Sequence, residues 1–340
     1  MVLSIQYLRG IASFLVLLQH TATKGAQYAN DPLSWFTVGG IGVDIFFLIS
    51  GFIMCHATAQ TAGLPGTVPR FLKNRVIRVL PLYWILTSFA LLVFLLFPDK
   101  INIGGGVTSI ADSYLLLPTD GNTKYLIKNG WTLSYEFFFY VIFSLSLFMK
   151  GKKGLVIPSI ILLICGLLRW ASDSNHVLFR FVSDPVILNF LLGFLVYLLF
   201  QRFKQVPPVV SLLLVAAATA LLVLQNNGQG LRLPLLSSGI PVFLLSLGLV
   251  WLEPWLQQRP VAFLHHLGDA SYSLYLSHPF ALAGGALLLS WLGLTSAAFA
   301  PLFVSLLVVL GLAGGFVCFR LLEKPLIEFF RTVFLKKKQQ

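Results

Sequence analysis

The chain has 340 residues, 57% hydrophobic and 11% charged, whereas a soluble domain carries roughly a quarter charged residues. So few charges cannot cover a globule of this size, which excludes a soluble enzyme, and 30 phenylalanines exclude a disordered chain. A polytopic membrane protein remains. Its net charge of +12 fits basic cytoplasmic loops better than a nucleic-acid partner.

A membrane-crossing helix needs about 20 mostly apolar residues. Ten segments qualify, at about 4–21, 37–58, 80–97, 131–149, 154–170, 180–200, 207–224, 233–252, 271–291 and 299–321. The expected fold is therefore an all-α transmembrane helix bundle forming a single integral-membrane domain over 1–340. The opening MVLSIQYLRG has no basic n-region and places Arg9 where a signal peptide would be apolar, so it reads as an uncleaved first span. With a cytoplasmic N-terminus, sixteen Lys and Arg fall in inside loops and the tail, the last of them Lys336, Lys337 and Lys338. Seven fall outside, including Lys100 and Arg232. This asymmetry places both termini in the cytoplasm. The connection from about 98 to 130 is long for a bundle and contains Gly104-Gly105-Gly106; a lid over an outward cavity and an unstructured loop both fit. Cys55, Cys165 and Cys318 sit in apolar runs and indicate neither a disulfide nor a metal site.

Ionisable residues inside spans are costly and mark function. In the first span Arg9 and His20 are eleven residues apart. That spacing puts them within roughly 20° of one helix face and about 16 Å apart along the axis. Snorkelling to the inner headgroups also accounts for Arg9, and a backbone-bonded interfacial ring for His20. The second span carries Asp44 in GVDIFFLISGF, and the fourth carries Glu136 in WTLSYEFFFY, each about two turns from the outer side. Carboxylates near an imidazole suit a general base, because they fix its tautomer and stabilise its protonated form. A purely structural polar network is the blander reading. On the inner side, PRFLKNRVIRVLPLYW pairs Arg70 with Lys73 and Arg75 with Arg78 at i,i+3 spacing. These residues anchor the loop, and two arginines on one face can also fork phosphate oxygens.

Six pieces together resemble the membrane-bound acyltransferase family 3, bacterial inner-membrane enzymes that O-acylate exported carbohydrates. They are Arg9 with His20, GVDIFFLISGF, RVIRVLPLY (75–83), WTLSYEFFFY, SYSLYLSHP (271–279) and Glu323-Lys324-Pro325. Thr132 stands where the family often has serine, and no esterase-like domain follows the last span, so the chain looks most like the exopolysaccharide acetyltransferases. The resemblance implies acetyl-CoA as acyl donor, a polysaccharide or lipid-linked acceptor, membrane lipids around the bundle, and no metal. It gives His20 the hydroxyl proton, or the acyl group itself in a two-step route, with Glu136 and Asp44 orienting the reactants. Arg75 and Arg78 would take the coenzyme A phosphates, with Arg9 along the seam and Tyr83, Ser277 and His278 lining the donor channel, His278 about two turns from the cytoplasmic end of its span. A secondary transporter or flippase is the alternative, though no inverted repeat supports it. A passive scaffold would not need the buried charges. The oligomeric state is not fixed by the sequence.

Overall fold

The computed structural model describes residues 2–29, 31–98, 105–120, 122–172, 174–229 and 235–336. Gly104, Lys100, Arg232, Lys337, Lys338 and the first residues of the expected 233–252 span lie outside them.

The helices in chain order are α1 (Leu3–Tyr28), α2 (Ile41–Thr58), α3 (Thr67–Leu96), α4 (Ile110–Leu115), α5 (Gly130–Ser144), α6 (Val156–Ala171), α7 (Val177–Val182) and α8 (Leu188–Arg202). They continue with α9 (Pro208–Asn226), α10 (Ile240–Trp251), α11 (Glu253–Gln258), α12 (Ala262–Asp269), α13 (Ser271–Trp291), α14 (Ala300–Cys318) and α15 (Lys324–Lys336). Two-residue strands β1 (Val107–Thr108) and β2 (Thr123–Lys124) pair in parallel.

Every expected span has a helical counterpart. Among the described residues, eight helical segments are long and apolar enough to cross a membrane, while 237–251 is shorter. Helix α1, despite its 26 residues, is not among the eight, because Ser4, Gln6, Arg9, Ser13, Gln19, His20 and Thr21 lower its hydropathy. Half of α1 is buried, including Ser4, Gln6, Ser13 and Thr21, so its polar side chains are absorbed by protein. The helix of the second span starts at Ile41 rather than 37, because the Gly39-Gly40 pair ends a non-helical approach. Asp44 therefore sits in the first turn of α2, where a carboxylate meets the positive end of the helix dipole, and not two turns in as the sequence suggests.

The chain divides into two compact units, one of residues 1–56 and 188–316, the other of 57–187 and 317–340. In the first, α1 packs against α12 and α13. The N-terminus of α1 is capped from a distance. Buried Glu253 accepts the Leu3 and Ser4 N–H groups, each at 2.7 Å, satisfying two of the four donors a helix start leaves open. Helices α1 and α12 touch backbone to backbone, since a Cβ on Gly10 would lie 3.0 Å from the Gly268 nitrogen and one on Gly268 only 2.2 Å from the Gln6 carbonyl. Gly51 of α2 and Gly193 of α8 make a similar crossing. An apolar core of Leu17, Leu274, Leu282, Phe303 and Leu307 fills the same unit.

In the second unit α3 and α5 pack through aromatic rings, Phe71 meeting Tyr140 and Phe143. The described part of the long connection is pinned down. Tyr83 donates its hydroxyl to the Ser113 carbonyl at 2.5 Å, and Trp84 donates Nε1–H to Tyr114 at 3.0 Å. The Leu126 N–H donates to Ser113 Oγ at 2.8 Å. Of the two readings for this segment, the unstructured loop does not hold for residues 105–120 and 122–129.

Candidate active site

Helix α1 is unbroken from Leu3 to Tyr28, so Arg9 and His20 keep the axial separation expected of them, and both are half-buried. Gly10 and Gly268 mark where α12 crosses α1. His20 and His278 each stand ten residues beyond that crossing, on α1 and α13, and their rings meet. Their centroids are 4.8 Å apart with planes tilted by 59°, and His278 Nε2 lies 3.0 Å from His20 Nδ1. The expectation of His278 about two turns from the cytoplasmic end of its span is thereby corrected to the level of His20. It counted turns from the start of α13, but that start lies well along α1.

Hydrogen-bonding partners assign the tautomers. His278 is fully buried, and its Nδ1 lies 2.9 Å from the Leu274 carbonyl. A carbonyl only accepts, so this nitrogen bears the proton and Nε2 of the neutral ring is the acceptor. His20 must then donate through Nδ1–H, which leaves its Nε2 as the basic nitrogen. Pro279, inside α13, contributes locally. Its ring has no N–H, so the Tyr275 carbonyl loses its helical donor next to this imidazole.

Arg9 begins a second polar chain. Its Nη1 donates to Gln6 Oε1 at 3.3 Å, Gln6 Nε2 donates to Asp269 Oδ1, and Asp269 Oδ2 lies 3.3 Å from His265 Nδ1. The ligand atoms of His265, His266 and Asp269 fall within 4.8 Å of one another, which makes this end of α12 a place where a cation could bind. Asp44 accepts the Asn189 Nδ2–H at 2.6 Å. Asn189 was overlooked in the sequence, although a lone amide inside VILNFLL is a visible signal.

The remaining expected residues, Ser277 apart, lie in the second unit. Tyr140, one turn beyond Glu136, donates its hydroxyl to Glu136 Oε1. The Arg75 guanidinium stands 5.9 Å from the Tyr140 ring centre and 5.7 Å from that of Phe71. Arg75 and Glu136, expected near opposite membrane faces, thus converge on one tyrosine. Arg75 Nε is buried without a hydrogen-bond partner among the described residues, an orphaned donor of the kind that a ligand satisfies. Ser277 Oγ, in the first unit, is orphaned in the same way. Arg78 is exposed. Tyr83 is fully buried with its hydroxyl spent on Ser113, so it fastens the connection and does not face an open channel.

Chemically, the first unit offers a histidine of fixed tautomer and the second a cationic group beside a carboxylate. Against known families, an acyltransferase domain matches residues 2–320. The exopolysaccharide production protein ExoZ of Rhizobium meliloti strain 1021 is 30% identical over 324 residues, covering 92% of this chain and 95% of the relative. The O-acetyl transferase of Shigella phage Sf6 is 24% identical over 188 residues, half of this chain and 54% of its own. The acyltransferase MdmB of Streptomyces mycarofaciens is 29% identical over 151 residues, 42% of this chain and 38% of its own. No solved structure matches.

Proposed function

We propose, from the premise that this chain belongs to the acyltransferase family just matched, that it moves an acetyl group from cytoplasmic acetyl-CoA to a hydroxyl of an extracytoplasmic or lipid-linked glycan, most simply an exopolysaccharide. The names of two relatives favour this acceptor and this acyl group, one serving exopolysaccharide production and one being an O-acetyl transferase. In this reading the chain works as one integral-membrane domain of a bacterial inner membrane, with ten spans and both termini inside. The excess of basic residues in the inner loops supports that orientation.

The observation that carries the reading is the His20–His278 pair. With Nδ1–H committed to His278, His20 Nε2 takes the proton of the acceptor hydroxyl as that oxygen attacks the thioester carbonyl. The carbon–sulfur bond breaks, and the imidazolium returns its proton to the departing thiolate. The products are an ester and free coenzyme A. His278 acts here as a positioning residue and need not touch the donor.

Arg75 and Arg78 take donor phosphates, an assignment supported by the orphaned Arg75 Nε, and Ser277 Oγ supplies a further donor contact. Arg9, steadied by Gln6, lies along the pantetheine path, Tyr83 supports the site by fastening the connection, and Glu136 orients the reacting hydroxyl. Asp44 acts at one remove, through its bond to Asn189 at the start of α2. The test is purified protein in detergent with labelled acetyl-CoA and a de-esterified polysaccharide. Label should enter the polymer with wild type and not with His20→Ala at equal protein. Undiminished transfer by His20→Ala ends the proposal.

A further inference from the structure

A cavity of about 490 Å³ lies wholly within the second unit, between residues 118–135 and 169–185. Its volume is in the range of small-ligand sites, and neither the histidine pair nor the Arg75 cluster belongs to it. The walls combine two kinds of surface. One is aromatic. Tyr135 stacks on Phe181 with centroids 4.3 Å apart and planes 28° from parallel, and Trp131 meets Tyr135 nearly at right angles, 88° at 5.8 Å. Trp131 remains 39% exposed, although large aromatics usually bury their surface.

The other surface is charged and balanced, with Asp120 and Asp184 against Arg169 and Arg180. Both carboxylates are held in place. Asp184 accepts the Val186 N–H through Oδ1 at 2.9 Å and the Tyr135 hydroxyl through Oδ2 at 3.2 Å. Asp120 Oδ1 accepts the Thr123 N–H and hydroxyl at 2.8 and 2.9 Å, and the Asn122 N–H at 3.0 Å. Among the described residues, those three bonds leave Oδ2 for a ligand.

An acyl chain would strand these charges without partners. A phosphate or acidic headgroup would meet two carboxylates as well as two guanidinium groups. A neutral pyranose satisfies both surfaces, because its C–H face lies on an aromatic ring while its hydroxyls donate to carboxylate oxygens and accept from guanidinium N–H groups. We propose that the cavity lined by Trp131, Tyr135, Asp120, Asp184, Arg169 and Arg180 is the saccharide subsite that holds a neutral sugar unit of the acceptor. The proposal rests on the glycan-acylating function above and adds where, and by what chemistry, the glycan is gripped.

Two exposed side chains allow a test without threatening the fold, as Trp131→Ala and Arg180→Gln. The probe is neutral oligosaccharide released from the host's exopolysaccharide and freed of esters by mild base. Calorimetric binding to the full chain without donor should weaken by about tenfold in each variant. The acceptor KM should rise in parallel, while the KM for acetyl-CoA stays at the wild-type value. Added salt should leave wild-type binding nearly unchanged. Wild-type acceptor affinity in both variants, with transfer intact, overturns the subsite and spares the proposed function. Steep loss of binding with salt, or displacement of the sugar by inorganic phosphate, overturns it in favour of an anion site. Sugar binding that depends on Trp131 in a protein that never transfers an acyl group supports the subsite and removes the function assigned above.

Discussion

The two units differ in how much hydrogen-bonding capacity they leave open around their basic side chains. In the first, His20 is engaged by His278, Asp44 by Asn189, Glu253 by the start of α1, and Arg9 by Gln6. In the second, Arg75 keeps a buried donor unmet among the described residues, Arg78 and Arg180 are exposed, and a charged cavity stands open. A group that must present one nitrogen in one protonation state needs its other bonds satisfied beforehand. Groups that recognise phosphates or hydroxyls need their bonds left for the ligand. On the function proposed above, the division is that of a preorganised reactive centre and a receiving surface.

This contrast can be broken by degrees. The most severe test is Gly193→Val. A Cβ there would lie 2.1 Å from the Leu48 carbonyl, so α2 and α8 must separate, and folded protein should fall below detection in size-exclusion profiles. Full accumulation would mean that the first unit is looser than described. Next, His20→Ala should cost on the order of 10²- to 10⁴-fold in transfer, the range for a lost general base, at normal protein levels.

Milder effects sharpen the comparison. His278→Phe removes the acceptor for His20 Nδ1–H and should lower kcat by about 10- to 100-fold with little change in either KM, whereas His278→Gln, which can still accept, should recover part of the loss. Equal activity of the two variants would remove the orienting role. Arg75→Lys keeps charge but loses the planar fork, so the KM for acetyl-CoA should rise about tenfold with kcat retained; a loss confined to kcat would separate Arg75 from donor binding.

The smallest effect concerns acid. The N–H and hydroxyl of Thr123, with the Asn122 N–H, hold the Asp120 carboxyl below the usual aspartate range. The folded-state value is thus the lower one, so the charged turn persists as pH falls past the unfolded value of about 3.9 and is lost only at still lower pH. Sugar binding, read by calorimetry, should therefore be flat from neutral pH down to about pH 5. Weakening within that window would show a carboxylate without this support.

The helices were legible because lipid demands long apolar runs, and α1 stood out through Arg9 and His20 despite its low hydropathy. Glu136 with Tyr140 was within reach, since the two are one helical turn apart. The His20–His278 contact was not, because the residues are 258 positions apart and their common level depends on Gly10 and Gly268 letting α12 cross α1 closely. Depth counted along isolated spans assumes that every helix starts at the same height, and α13 does not. The cavity was equally hidden, since its charges come from a turn, the end of α6, α7 and the segment before α8, none of which shows a sequence period.

The ring-to-ring bond also imposes a schedule on synthesis. One imidazole is made among the first residues to leave the ribosome, the other only after more than three-quarters of the chain has followed. Until α13 has been delivered beside α1, the His278 partner that holds the hydrogen of the earlier ring on Nδ1 is missing, so a truncated or half-inserted product lacks the arrangement that the proposed function uses. In the proposed reaction the oriented base is therefore assembled only when synthesis is nearly complete.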